Sequence, residues 1–142
     1  MRGDDAPREA GQAREAAGGG AGDGGGDVAG DALARLRRFG GDALVRDMSE
    51  ILLSDVPERI RAARAGLRAG DRAAVRLATH AMKSSCAQFG AAAVARLCGD
   101  AEAAARRGEL APLPALLDAI EREFARFRRW LDGEIAGAGE RA

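Results

Sequence analysis

The sequence is poor in the residues from which β-strands, metal sites and disulfides are built. Its 142 residues include no tyrosine, one tryptophan, four phenylalanines, two cysteines and a single histidine. Alanine, leucine and arginine dominate instead, and these residues favour helices. Cys86 and Cys98 form no Cys-x-x-Cys pair, and one histidine cannot complete a zinc site with them. We therefore predict an all-α protein whose two thiols are free and buried, as in a reducing cytosol.

Long apolar runs and an excess of either charge are also absent. The 22 basic and 22 acidic residues give a formal net charge of zero, which gives no indication of binding to nucleic acid or to an anionic membrane. No window approaches the roughly 20 apolar residues of a membrane-spanning helix. The opening residues have neither the apolar stretch of a signal peptide nor the acid-poor composition of a transit peptide. We expect a cytoplasmic monomer that binds neither nucleic acid nor membranes.

Glycine is concentrated near the start of the chain, in an interrupted run over residues 18–26. Residues 1–30 hold almost no apolar side chain larger than alanine, so burial cannot repay the entropy of ordering them. The run also lacks the preceding strand and the following lysine and hydroxyl residue of a phosphate-binding P-loop. We therefore predict a disordered Gly-rich tail or linker over 1–30, a helical domain over 31–136 and a frayed end over 137–142.

Apolar residues in the rest of the chain repeat every three or four positions, which is the period of an amphipathic helix. Glycines and N-capping aspartates divide this pattern, and Pro57 predicts a kink or a break near residues 54–56. We predict a short extra N-terminal helix followed by an up-down four-helix bundle. The predicted helices span residues 31–39, 42–69, 71–89, 91–107 and 114–135. Outside the helix that carries the histidine, the residues predicted to face inward are Leu33, Leu36, Leu44, Val45, Met48, Ile51, Leu52, Val56, Ile60, Ala63, Leu67, Val94, Leu97, Cys98, Ala101, Leu116, Leu117, Ile120, Phe124, Phe127, Trp130 and Leu131.

The only histidine, His80, lies one helical turn before the only lysine, Lys83, in the segment THAMKSSCAQFG. A helical wheel places small and apolar residues opposite His80, which therefore faces solvent. A lone helical histidine is usually no more than a solvated surface residue. Here most flanking residues are small and one is the lysine, so a large partner could reach the imidazole. The opposite residues are Val75, Ala78, Met82, Ser85 and Phe89, and the flanking residues are Ala73, Arg76, Lys83, Ser84 and Ala87.

An exposed imidazole beside an ammonium is suited to phosphoryl chemistry. Neutral imidazole is a competent nucleophile, and a nearby ammonium favours the neutral form. The ammonium of Lys83 would also offset the charge of a phosphoryl group on His80. Small neighbours leave room for the nearly linear arrangement of attacking and leaving atoms that this transfer needs. The pattern is therefore compatible with phosphoryl transfer at His80.

The segment resembles the signature of histidine-containing phosphotransfer (HPt) domains, H-x-L-K-G-S followed by a small-rich turn of helix and L-G or F-G. Gly70-Asp71, Cys98 and Glu102 also fit the family's pattern, and the resemblance extends over about residues 31 to 136. Ser84 departs from it, because the family usually has glycine there. The resemblance implies a helical bundle with an exposed phosphoacceptor, His80, and a charge partner, Lys83. The residues that match the signature are His80, Met82, Lys83, Ser85, Phe89 and Gly90.

The resemblance further implies a phosphocarrier in a two-component phosphorelay. Such a protein accepts a phosphoryl group from a receiver-domain aspartate or a histidine kinase and passes it to a response regulator. The expected partners are a response-regulator receiver domain, a hybrid histidine kinase, or both. The sequence has no nucleotide-binding loop, kinase motif or acidic cluster for magnesium. We therefore expect no cofactor on this chain, Mg²⁺ on the partner receiver domain, and a relay protein that is not itself an enzyme.

The surface around His80 supplies the predicted docking residues. Leu77 lies about 60° from His80 on the helical wheel. We predict that it forms part of an apolar docking patch, unless a neighbouring helix covers it. The predicted docking residues are Arg76, Leu77, Ser84, Ala87 and Gln88.

Two other functions remain open from the sequence. The first is a binding module with the same bundle, which sequesters a receiver or a kinase without being phosphorylated. Ser84 is the residue that keeps this alternative open. The second is an enzyme, such as a phosphatase that uses phosphohistidine. It would need a second acid or base near His80, and none lies within one turn on the same helix.

Overall fold

The fold is a bundle of helices joined by short turns. The structure, a computed structural model, describes residues 24–141, which form α1 (Gly24–Arg68), α2 (Arg72–Gln88), α3 (Ala92–Arg107) and α4 (Leu113–Arg141). Each helix packs against the next one in the chain, and α1 also packs against α4, which closes the bundle. No strand occurs within these residues, so the predicted all-α, up-down bundle is confirmed. No helix in the described range is both long enough and apolar enough to span a membrane.

A break at Gly41 divides α1 into two helical segments. Gly41 has φ 71° and ψ −168°, which lie outside the helical region. The N-terminal segment of α1 therefore covers residues 24–40, and the long segment covers residues 42–68. The N-terminal segment is the predicted short extra helix, but it begins before the expected first residue, Asp31.

Close packing of backbone against backbone accounts for this earlier start. Ala29 is buried, and the carbonyl oxygen of Val28 lies so close to the turn between α2 and α3 that a Cβ built on Gly90 would be 2.6 Å from it. The absence of a side chain at Gly90 permits this approach, and Val28, the one larger apolar residue of 24–30, is 48% exposed. Residues 24–30 are therefore helical and do not belong to the predicted tail. The remainder of that tail, residues 1–23, lies outside the described residues.

Of the two remaining helix ends in question, only the C-terminal one differs from the prediction. The long segment of α1 continues through Pro57, in agreement with a single helix over residues 42–69, and within α1 only Gly41 has non-helical dihedral angles. The proline removes one backbone donor, but the flanking turns keep their helical form. At the other end of the chain, α4 continues to Arg141, and Ala138 is buried. The predicted frayed end is thus helical as far as the structure describes it, and Ala142 lies outside the described residues.

The core contains most of the residues that were predicted to face inward. Ile51 is the clear exception, since its side chain is 65% exposed. The buried stripe of α1 runs through Val45, Leu52 and Val56, and Ile51 points about 100° away from Leu52. Both cysteines are free and buried, as predicted, and burial raises the pKa of each thiol to about 12. Other large buried residues of the core are Leu33, Val75, Met82, Val94, Leu113, Leu117, Ile120 and Leu131.

Candidate functional site

The turn between α1 and α2 fixes the start of the helix that carries the histidine. Gly70 takes a left-handed conformation with φ 69°. The Asp71 carboxylate accepts a hydrogen bond from the backbone N–H of Ala74 at 3.1 Å. These are the C-terminal stop and the N-cap that glycine and aspartate favour, as the sequence predicts. From this start, the helical period determines the direction of every side chain on α2.

His80 lies in the middle of α2 and faces solvent. Its side chain is 58% exposed, so a partner protein can reach the imidazole. Ser85, predicted to be buried, is only half-buried. The residues buried on the side of α2 opposite His80 are Val75, Ala78, Met82 and Phe89, as the helical wheel predicts.

Glu102 on α3 joins His80 and Lys83 through one carboxylate. Its Oε2 lies 2.7 Å from His80 Nδ1, and its Oε1 accepts a hydrogen bond from Lys83 Nζ, also at 2.7 Å. The Glu102 side chain is 12% exposed, against 40% for Lys83. A carboxylate so shielded from water needs partners for its charge. Both partners come from α2, so the three side chains link α2 to α3.

The charge on Glu102 determines which imidazole nitrogen carries the proton. The hydrogen bond from Lys83 lowers the pKa of Glu102, burial opposes this effect, and the hydrogen bond from His80 lowers the pKa further. The carboxylate is therefore ionised at neutral pH and only accepts hydrogen bonds. Nδ1 of the neutral imidazole must then hold the proton and donate to Glu102. The lone pair of the ring is consequently on Nε2.

Glu102 is the part of the site that the helical wheel of α2 cannot reveal. The resemblance implies that Lys83 is the charge partner of a phosphoryl group on His80, and in the structure its ammonium lies on Glu102. The sequence offers Glu102 only as one of several residues that fit a family pattern. The turn at residues 89–91 does contain a signal for Glu102. Two antiparallel helices joined by this turn place His80 opposite α3 residues numbered about 100, because each lies roughly ten residues from the turn. Thus a carboxylate does lie near His80, although none lies on α2.

The predicted docking residues surround His80 on the same helix, and all of them are exposed. Leu77 is 68% exposed, so no neighbouring helix among the described residues covers it. Within residues 24–141, no group of three or more histidine, cysteine, aspartate or glutamate side chains is arranged to hold a metal ion. The residues that are predicted to dock a partner, and that are exposed, are Arg76, Leu77, Ser84, Ala87 and Gln88.

Comparisons with known proteins relate the chain to one family. The family model of the Hpt domain matches residues 47–130 of the chain, a range that contains His80, Lys83 and Glu102. The chain is also similar to the crystal structure of histidine-containing phosphotransfer protein B (HptB) from Pseudomonas aeruginosa PAO1. The sequence identity is 37% and the TM-score 0.69, over 75% of this chain and 91% of that one. No curated protein matches the chain.

Proposed function

The chain belongs to the Hpt domain family, and we propose that it is a phosphocarrier in which His80 accepts a phosphoryl group and passes it on. Family membership supports a phosphotransfer role in two-component signalling. On that basis the donor is the phosphoaspartate of a receiver domain or a histidine kinase, and the acceptor is a response regulator. The observation that carries the assignment to His80 is the 2.7 Å contact of its Nδ1 with the Glu102 carboxylate.

The chemical step is attack by His80 Nε2 on the phosphorus of the donor. With a phosphoaspartate donor, the lone pair forms the N–P bond while the bond from phosphorus to the aspartate oxygen breaks, and the aspartate leaves as a carboxylate. Nε2 holds no proton, so none has to be removed before the attack. The ring becomes a phosphoimidazolium that keeps its Nδ1 proton. Glu102 accepts the hydrogen bond from this proton, and its negative charge stabilises the positive charge that develops on the ring.

Lys83 is placed to meet the negative charge that the phosphoryl group brings. Its ammonium has three N–H donors, and the contact with Glu102 Oε1 uses one of them. His80 and Lys83 lie one helical turn apart and touch the same carboxylate. The ammonium can therefore turn another N–H toward a phosphoryl oxygen without leaving Glu102. In this arrangement Lys83 is the charge partner of the phosphoryl group, and Glu102 holds both the lysine and the ring.

The partner supplies what the site around His80 does not provide. We assign the Mg²⁺ of the transfer to the partner receiver domain, since the described residues offer no cluster of metal-ligating side chains at His80.

Exposed Leu77 and small Ala87 form a face against which a receiver domain can pack, with the cation of Arg76 beside it. In this scheme the chain is a carrier rather than an enzyme. It works as a cytoplasmic monomer, in the compartment of its receiver partner.

Phosphoryl transfer from a phosphorylated receiver domain tests the proposal. Wild type and His80→Gln are each mixed with a receiver that carries a radiolabelled phosphoaspartate, in the presence of Mg²⁺. We expect acid-labile label on wild type alone, as for a phosphohistidine. Label of the same kind on His80→Gln would overturn the assignment of the site. Receiver binding by wild type without transfer, across a panel of receivers, would instead favour the sequestering module.

A further inference from the structure

The aliphatic stem of Lys83 passes over α3 at Gly99 before its ammonium reaches Glu102. A Cβ built on Gly99 would lie 3.5 Å from Lys83 Cδ. Gly99 precedes Glu102 by three residues, so both lie on the same face of α3. The lysine therefore lies against α3 at a residue that has no side chain.

The backbone does not require glycine at this position. Gly99 is a residue of α3, and it is not among the glycines with a positive φ. Glycine in a helix interior is less favourable than alanine. A methyl group at 3.5 Å from Lys83 Cδ would make an ordinary van der Waals contact, whereas any longer side chain would occupy the space that the lysine stem now fills.

We propose that Gly99 is a positioning residue for phosphoryl transfer, because it keeps open the surface of α3 on which the Lys83 stem lies. The inference rests on the proposed function of His80. Gly99 does not touch the imidazole and acts only through the lysine. With that surface open, the Lys83 ammonium reaches Glu102 Oε1 at 2.7 Å and stays one turn from His80.

Filling this surface has a defined consequence for the site. A leucine at residue 99 would displace the Lys83 stem toward solvent. Glu102 would lose the hydrogen bond that contributes most to lowering its pKa and would keep only its contact with His80. The phosphoryl group would lose its nearby ammonium. The carboxylate that orients the imidazole would remain.

The single lysine of the chain makes the placement of its side chain directly measurable. Isotope-labelled lysine gives one side-chain signal by NMR, which we would compare in wild type, Gly99→Ala and Gly99→Leu. We expect Gly99→Ala to keep the wild-type signal, because a methyl group fits. Gly99→Leu should move the signal to that of a solvated lysine. An unchanged signal in a folded Gly99→Leu protein would overturn the inference.

Transfer kinetics test whether the placement matters for the reaction. Gly99→Ala should transfer at the wild-type rate. Gly99→Leu and Lys83→Ala should each be slower by about tenfold, the order expected for the loss of one charge-assisted hydrogen bond. The double variant should be no slower than Lys83→Ala, since Gly99→Leu acts through the lysine. Equal slowing by Gly99→Leu in the presence and absence of Lys83 would contradict the proposal.

Two controls separate this inference from misfolding and from the proposed function. Gly99 is half-buried, so we expect leucine to be accommodated, which circular dichroism and the thermal midpoint would check. Gly99→Met, with an unbranched and flexible side chain, is the second variant if leucine unfolds the protein. If neither wild type nor Gly99→Ala takes label on His80, the proposed function fails. The lysine signal still decides the inference about Gly99 in that case, because it needs no phosphoryl donor.

Discussion

Glu102 of α3 holds the imidazole of His80 on α2 through a 2.7 Å contact between Oε2 and Nδ1. This one contact determines the site of the ring proton and the nitrogen that is free to react. Both residues lie within helices that pack closely on each other, not on loops. A site built on rigid elements keeps its geometry better than one built on loops, so the orientation of the ring depends on the packing of α2 against α3.

Removing Glu102 should change the tautomer of His80. Glu102→Ala deletes the acceptor at Nδ1, so the proton is free to move to Nε2 and block the nucleophilic lone pair. We expect a lower rate of transfer, by about tenfold or more. Glu102→Gln should retain the Nδ1–H tautomer, since its amide oxygen can accept the same hydrogen bond, and should lose less activity. Because the chain has one histidine, isotope-labelled histidine gives the NMR signals of a single imidazole, from which the tautomer is read. An unchanged tautomer in Glu102→Ala would disprove the role of Glu102 in fixing the ring proton.

Lowering the pH should remove the stability that the Glu102 carboxylate contributes. Its folded pKa is lowered from 4.5, chiefly by the hydrogen bond from Lys83, so folding favours the ionised form. This contribution is present above the unfolded pKa and is lost as the pH falls through the lower folded pKa. The difference in free energy of unfolding between wild type and Glu102→Gln should therefore be largest near neutral pH and shrink below 4.5.

Urea denaturation over a series of pH values measures this difference. The control compares Lys83→Met with the double variant Lys83→Met/Glu102→Gln. In both proteins the hydrogen bond from Lys83, which is the largest cause of the lowered Glu102 pKa, is absent. The pH dependence should be weaker in that background. A difference between wild type and Glu102→Gln that stays constant from neutral to acidic pH would show that the ion pair adds no net stability to the fold.

Helical periodicity predicts the parts of this protein that depend on one helix at a time. It gives the exposure of His80 and Leu77 and the buried side of α2, because each residue turns by about 100°. It does not give the contact of Glu102 with His80, which depends on how far α3 is rotated and shifted against α2. For the long helix α1, apolar residues at several angles leave the core-facing direction ambiguous, and the pattern predicts that Ile51 faces inward although it is exposed.

The start of α1 shows a second limit of sequence-based prediction. Composition alone indicates disorder for residues 24–30, since small side chains bury little apolar area. Composition does not reveal the close approach of the Val28 carbonyl to Gly90, which lies more than sixty residues away in the sequence. The contact requires a residue without a Cβ at position 90, and only the folded bundle brings the two segments together.

A matched pair of glycine substitutions tests this contact. Gly90 and Gly70 have nearly the same φ, 71° and 69°, so alanine at either position costs roughly 1 to 2 kcal/mol from left-handed strain. A Cβ on Gly70 meets open space, whereas a Cβ on Gly90 would lie 2.6 Å from the Val28 carbonyl oxygen. Gly90→Ala should therefore cost more stability than Gly70→Ala and increase amide exchange in residues 24–40. Equal costs, with unchanged exchange, would show that this segment does not depend on Gly90.

A second matched pair tests where the receiver domain docks. Leu77 and Ile51 are exposed to nearly the same extent, 68% and 65%, so an aspartate at either position should affect stability little. Leu77 lies one turn before His80, whereas Ile51 lies on α1 in a shallow groove that also contains Glu50, Asp55 and Glu58.

The expected result follows from what surrounds each residue. The phosphorylation site of a receiver domain carries an aspartate and a phosphoryl group, so it should be repelled by the acidic groove around Ile51. It should instead pack on the apolar Leu77 beside His80. Leu77→Asp should weaken receiver binding and slow transfer by about tenfold, as loss of an apolar contact and a new like charge would do. Ile51→Asp should leave both near wild type. Calorimetric titration with a receiver domain measures the affinities, and a loss caused by Ile51→Asp but not by Leu77→Asp would move the docking surface to α1.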